Sequence, residues 1–312
     1  MNKILIEVPT WLGDCVMATA SIENIVKKYP DVKITIFGSS VSTAIFEEHP
    51  NVAEIVIDES RKSFSRIMWY YKKAKTVGTF DASLTFRRTL SSKLFIFFTK
   101  AKVKGYYKRY TKDVIHQAVR YNDFISKVFN CKLPAGDLKI YIDPCKYEKP
   151  TLGINPGASY GSAKRWYPEK FFEVASVLSA QYNIVIFGGP GEVDMAKDIE
   201  IELKKAHIEN YVNLAGKTTI KELCEKIGGL DLFITGDSGP MHVAAAFKVP
   251  TVSIFGPTKD KETSPWHNLH SIIVKREIDC APCMKRICPL KHHECMKLIE
   301  PIDILTAVQE LK

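Results

Sequence analysis

A short apolar run, a glycine turn and a proline-opened helix follow one another at residues 232–246, LFITGDSGPMHVAAA. A buried strand feeding a helix in this way constrains the chain to an α/β fold, with parallel strands covered by helices. At the strand's end, unpaired helix N–H groups and the positive end of the helix dipole can hold an anion. A carboxylate would repel a phosphate, so Asp237 is expected to hold the loop through N–H groups, or to accept from a hydroxyl or a cation. Ser238 is expected to cap the helix or donate to a phosphate oxygen, and His242 to lie on its first exposed turns.

The same rhythm runs through the chain twice. Strands are expected at 3–8, 32–37, 52–57, 82–85 and 103–106, with helices between them and a longer one over 116–129. Residues 133–149 are poor in strand pattern and contain Pro134, Gly136 and Pro144; the rhythm then restarts at 151–155. With 312 residues the chain exceeds what one core usually serves. Two α/β domains are therefore expected, over 1–148 and 149–300, with a helix in 301–312 able to pack back on the first. The first strand's loop reads GD rather than GxGxxG, which does not support a dinucleotide site of the NAD type.

Three loops of the second half end comparable strands, at 156–166, 188–192 and 236–242, and their convergence at one sheet edge suits a nucleotide. Lys164 can meet a phosphate and the charge developing on a leaving diphosphate, and Glu192 can accept from sugar hydroxyls. In the first half Gly13 lets backbone approach a ligand. Asp14, at the start of a helix, has two open roles: a cap worth about 1 kcal/mol, or a general base.

Net charge is +9, and fifteen Lys or Arg against one Asp fall between residues 61 and 112, interleaved with aromatics such as Phe64, Trp69, Tyr71 and Phe97. Such a stretch suits an anionic partner, either a nucleic acid or an anionic membrane or glycolipid; the alternative is a solvated face with its aromatics inside. No nucleic-acid-binding motif accompanies it. No run reaches the ~18 apolar residues of a membrane span, and MNKILIEV reads as a strand rather than a secretory signal, so a cytoplasmic protein is expected. Four of the eight cysteines are scattered, at 15, 131, 145 and 224. The others, Cys280, Cys283, Cys288 and Cys295, follow C-x2-C-x4-C-x6-C beside His292 and His293. They could hold a structural metal, but the spacing is not that of a standard zinc finger, and free thiols are the preferred reading.

Taken together, WLGDCVMA at 11–18, FRRTLSSKL at 86–94, HQAVRY at 116–121, NPGASYGSAKRWYP at 155–168, FGGPGE at 187–192, NLAGKTT at 213–219, GDSGPMHVAAA at 236–246 and FGPT at 255–258 carry a resemblance. The chain resembles the ADP-heptose:lipopolysaccharide heptosyltransferases, glycosyltransferase family 9, and within it most the heptosyltransferase II branch. The resemblance implies a GT-B fold, two Rossmann-like domains facing each other across a cleft. It implies an inverting, metal-independent transfer of heptose from ADP-L-glycero-D-manno-heptose to the first heptose of the lipopolysaccharide inner core, with no cofactor required.

By that resemblance Asp14 is the general base and Lys164 the lysine on the donor phosphate. Ser159, Asp237, Ser238, Gly239 and His242 contact diphosphate and sugar, Glu192 a hydroxyl, and Lys217, Thr218 and Thr219 the adenosine. Gly13, Arg88, His116, Arg120 and Tyr121 belong to the acceptor side, with Arg88 and Arg120 expected on acceptor carboxylates. Pro240 replaces a leucine frequent in the family, a change that a helix's first turn tolerates. The basic stretch then suits the acceptor and the anionic inner face of the inner membrane, with no nucleic acid expected, and a salt-sensitive peripheral association follows. Two other readings stay open: a family member with a different donor or acceptor, such as the first heptosyltransferase, and a non-catalytic protein binding anionic glycan or nucleic acid.

Overall fold

The structure is a computed structural model, described for residues 1–130 and 132–311; Cys131, one of the scattered cysteines, and Lys312, at the end of the expected C-terminal segment, lie outside. The chain divides into two compact units, Met1–Ile142 and Asp143–Lys312.

The first unit runs β1 (Lys3–Glu7), α1 (Leu12–Lys28), β2 (Lys33–Gly38), α2 (Ser40–Thr43), β3 (Val52–Ile57), α3 (Arg66–Thr76), β4 (Thr79–Thr85), α4 (Leu90–Phe98), β5 (Lys100–Tyr106) and α5 (Gln117–Phe129). Its five strands are parallel in the order β3-β2-β1-β4-β5. Parallel strands need crossover helices, and these cover the sheet, so β1 and β2 read as nearly continuous apolar runs. The core beneath α3 and α4 is aromatic, with Phe37 stacked on Phe95 at 4.3 Å between centroids and Tyr70 beside them. Helix α5 packs along α1, and a buried side-chain hydrogen bond from Asn24 to Asn122, 2.8 Å, fixes their register.

The second unit continues with β6 (Thr151–Asn155), α6 (Pro168–Leu178), β7 (Asn183–Ile186), α7 (Val193–Lys205), β8 (Tyr211–Asn213), α8 (Ile220–Gly228), β9 (Leu232–Gly236), α9 (Gly239–Ala246), β10 (Thr251–Phe255), α10 (Asp260–Thr263), β11 (Ser271–Lys275), α11 (Glu294–Lys297) and α12 (Pro301–Glu310). Its parallel sheet has the order β11-β10-β9-β6-β7-β8. Both units are thus Rossmann-like. The central strands β6 and β9 are buried throughout, and Trp166 closes the core beside Phe171, donating its indole N–H to the Ile299 carbonyl at 3.0 Å. The sequence allowed the C-terminal helix a place against the first domain. Its apolar residues Ile304, Ala307 and Val308 lie in the second unit's core, with α12 against α6, because the amphipathic stripe matches that sheet's open face.

Gly153, in the middle of β6, marks how tightly this core is filled. A Cβ there would stand 2.4 Å from Leu230 Cδ1, 2.8 Å from Phe233 Cδ2 and 2.9 Å from Phe187 Cε2. Gly153→Ala is expected to cost about 1–3 kcal/mol by overpacking, read as a lower urea midpoint at unchanged slope.

Candidate active site

In the first unit, α1 begins at Leu12. Its N-cap is Trp11, so Asp14 is the third helical residue and not a cap, although its charge still favours the helix N-terminus. Gly13 beside it is buried and Asp14 half-buried. The Tyr121 hydroxyl, brought across by α5, donates to Asp14 Oδ1 at 3.1 Å. Burial, and then the Asp14 carboxylate, push the Tyr121 phenol well above its usual range, so it stays a donor.

His116, Arg120 and Tyr121 are all buried. His116 is the N-cap of α5, its Nδ1 accepting from the Ala118 N–H at 3.2 Å. Arg120 donates to the carbonyls of Thr111 and Asp113 at 3.3 and 2.8 Å, and so ties down the loop between β5 and α5. Arg88, at the end of β4, is exposed.

The neighbouring arginine carries a structural role that pattern reading passes over. Arg87 Nε donates to the Val8 carbonyl at 2.8 Å, and its Nη1 lies 3.4 Å from Glu7 Oε1 and 3.3 Å from Asp58 Oδ2. Asp58 also accepts from the Tyr70 hydroxyl at 2.9 Å and from the Ser60 N–H at 3.0 Å. Glu7 is fully buried, and burial raises its pKa against the pull of Arg87. This cluster fixes the strand end from which the loop to Asp14 departs. The available signal was a glutamate closing an otherwise apolar strand, KILIE, which needs a buried partner.

In the second unit β6, β7 and β9 are parallel and adjacent, so their C-terminal ends share an edge and their loops meet there. Lys164, closing a 3-10 turn over Ser162–Lys164, places Nζ 2.7 Å from Asp237 Oδ2 and 3.0 Å from the Asp237 carbonyl. The ammonium also lies 4.8 Å from the Tyr160 ring centroid. Asp237 thus accepts from a cation, one of the roles open to it in the sequence. Glu192 is buried and turns inward: Oε2 accepts from the Gly189 N–H at 2.7 Å and Oε1 faces the Ser159 hydroxyl at 3.5 Å. Gly157 makes room for it, since a Cβ there would come within 2.2 Å of the carboxyl carbon.

Ser238 occupies the N-cap position of α9 without capping it; its hydroxyl pairs with Thr235 Oγ1 at 3.2 Å. Gly239 opens the helix, and the first-turn N–H groups have no partner within it. His242 is buried rather than on an exposed turn, because α9 is sunk against the sheet. In the loop after β8, Lys217 donates to the Asn213 carbonyl at 2.9 Å, and Thr219 caps α8 in a box with Glu222, leaving Thr218 between them half-buried. The Gly216 N–H donates to the Gly188 carbonyl, so this loop adjoins the Glu192 turn.

The cysteine-rich segment folds over the turn that carries Lys164. The Ala163 N–H donates to the Arg286 carbonyl at 3.0 Å, the Tyr160 hydroxyl to the Met284 carbonyl at 2.8 Å, and His293 bridges Tyr167 and the Ala163 carbonyl at 3.0 and 2.9 Å. Cys280, Cys283, Cys288 and Cys295 line one small cavity with His292 and His293. All four are free thiols, and burial with the three neighbouring sulfurs pushes Cys295 up to about 11. Among the described residues no three His, Cys, Asp or Glu side chains are grouped so as to hold a metal ion.

Residues 86–294 match the model of glycosyltransferase family 9 (heptosyltransferase). The chain is 40% identical to lipooligosaccharide heptosyltransferase 2 of Campylobacter jejuni serotype O:2, over 99% of this chain and 98% of that protein. It is 26% identical to the protein of the same name from Haemophilus influenzae, over 99% of each. Among solved structures it matches E. coli ADP-heptose LPS heptosyltransferase II with a TM-score of 0.80 at 21% identity, covering 99% of this chain and 98% of that one. The fold is accordingly of the GT-B type.

Replacing one member of the Lys164–Asp237 pair strands the other in a nearly dry site. Lys164→Met and Asp237→Asn should each lower stability by about 3 kcal/mol, and the double variant should recover part of the sum, measured as a double-mutant cycle in urea. Additive losses would mean that the pair is not coupled.

Proposed function

The chain belongs to glycosyltransferase family 9, the heptosyltransferases, and we propose that it is an inverting enzyme moving heptose from ADP-heptose to the first heptose of a lipopolysaccharide or lipooligosaccharide inner core. The observation that carries the choice of acceptor is the 40% identity, end to end, with a lipooligosaccharide heptosyltransferase 2. The site chemistry supports it.

In this reading Asp14 takes the proton of the acceptor hydroxyl while that oxygen attacks the anomeric carbon. The bond from this carbon to the phosphate oxygen breaks, and ADP leaves with the electron pair. Tyr121, kept protonated, orients the Asp14 carboxylate through Oδ1. The negative charge growing on the diphosphate is met by Lys164, held ready by Asp237, and by the N–H groups opening α9. Ser159, Ser238, Gly239 and His242 line the donor's phosphate and sugar, Glu192 stiffens the adjoining turn, and Lys217 to Thr219 border the adenosine. On the acceptor side Arg88, exposed and unshielded by the loop, takes the carboxylates or phosphates of the core, while Arg120 holds the loop beside it. The enzyme works at the cytoplasmic face of the inner membrane, where its basic first domain meets anionic lipid.

Purified protein given ADP-heptose should release ADP only with an acceptor carrying one inner-core heptose, and that acceptor should gain the mass of one heptose. Release only on a heptose-free acceptor would make it the first transferase instead. Asp14→Asn should lower kcat by about a hundredfold to ten-thousandfold and leave ADP affinity unchanged; a loss of ADP binding with kcat retained would remove Asp14 from the base role.

A further inference from the structure

Between residues 61 and 112 the large apolar side chains include two sets. Trp69, Tyr70, Phe95 and Phe98 are packed on the sheet, as in a solvated face with its rings inside. A second set is turned outward: Phe64, Ile67, Met68 and Tyr71 around α3, and Leu90 and Phe97 on α4. Phe64 has its whole side chain in water and Leu90 is 71% exposed. Ile67, Met68 and Tyr71 stand at i, i+1 and i+4 of α3, and so share a face.

The two helices pack together, and the rings make their outer faces continuous. Tyr71 meets Phe98 edge-on at 5.1 Å, and Phe98 meets Phe97 at 5.6 Å. An apolar ridge of this extent on a soluble surface costs hydration free energy and marks a contact. Cations flank it closely: Lys75 Nζ lies 5.5 Å from the Tyr71 ring and Lys104 Nζ 5.4 Å from the Phe97 ring. Helix α3 contains Arg66, Lys72, Lys73 and Lys75 and no acid. Aromatic and aliphatic side chains rimmed by lysines match the headgroup boundary of an anionic bilayer, where the apolar groups enter and the ammonium groups stay with the phosphates. A protein partner of this charge would need a dense acidic surface around an apolar centre, and interface cores are depleted in charge.

We propose that the ridge formed by α3, the Phe64 loop and α4 is the membrane-docking surface of the first domain, inserting Phe64, Ile67, Met68, Leu90 and Phe97 into the outer edge of an anionic lipid leaflet. The inference deepens the membrane-surface part of the reading above and does not depend on which sugar is transferred. Binding then has an apolar part that salt leaves in place and an electrostatic part that salt weakens.

The test is cosedimentation of the full chain with extruded vesicles of phosphatidylcholine, with or without phosphatidylglycerol and free of lipopolysaccharide. Wild type should bind only the phosphatidylglycerol vesicles. Phe64→Ser with Phe97→Ser should weaken that binding by about tenfold or more, as two partly buried rings would. Equal binding by variant and wild type would mean that charge alone docks the protein, and an absence of wild-type binding would remove the membrane from the account; either overturns the proposal. So would a change in oligomeric state of the variant without vesicles, which would assign the ridge to a second copy. In parallel, the variant should release ADP at the wild-type rate on a delipidated core oligosaccharide. If wild type itself is inactive there, the transferase reading fails while the vesicle result stands.

Discussion

Lys164 and Asp237 leave water together, and the second domain's working edge depends on that pairing. A lysine with 13% of its side chain exposed and an aspartate with 5% would each be costly alone. At 2.7 Å, with the Asp237 carbonyl as a second acceptor, they tie the loop after β6 to the turn between β9 and α9. Those segments are 73 residues apart in sequence and adjacent only because β6 and β9 are neighbours in the sheet. In the proposed transfer, a lysine already held beside a helix N-terminus needs little reorganisation to meet a diphosphate, which is how preorganised charge assists a leaving group.

The cysteine-rich segment belongs to the same construction. Its backbone carbonyls at Met284 and Arg286 and the His293 ring hold the turn that ends in Lys164. Gly161, with φ of +157°, lies where a Cβ would stand 2.3 Å from the Arg286 carbonyl oxygen, so the close approach requires glycine there. The segment thus serves as a brace, and the upward displacement of the Cys295 thiol by burial suits packing better than nucleophilic chemistry there.

The first domain solves a similar problem by other means. Arg87 gathers Glu7, Asp58 and the Val8 carbonyl at the sheet edge, and α5 supplies the Tyr121 hydroxyl to Asp14. Tyr121 thus helps to position the acid from a neighbouring helix.

Much of this was legible in the chain. Alternation of apolar runs, glycine turns and helices determined two parallel-sheet domains, because backbone periodicity and turn chemistry are local properties, and the motifs containing Asp14, Lys164, Glu192 and Asp237 carried the resemblance to the family. What only the tertiary structure decided is which groups meet. It buried His116 and Arg120, buried His242 where local patterning had it on an exposed turn, set Thr219 to capping α8, and made Arg87 an anchor. It also turned Phe64, Tyr71 and Phe97 of a basic stretch outward. Pairing and burial join residues tens of positions apart through strand order and helix packing, and no local pattern records the neighbour that a side chain will find there.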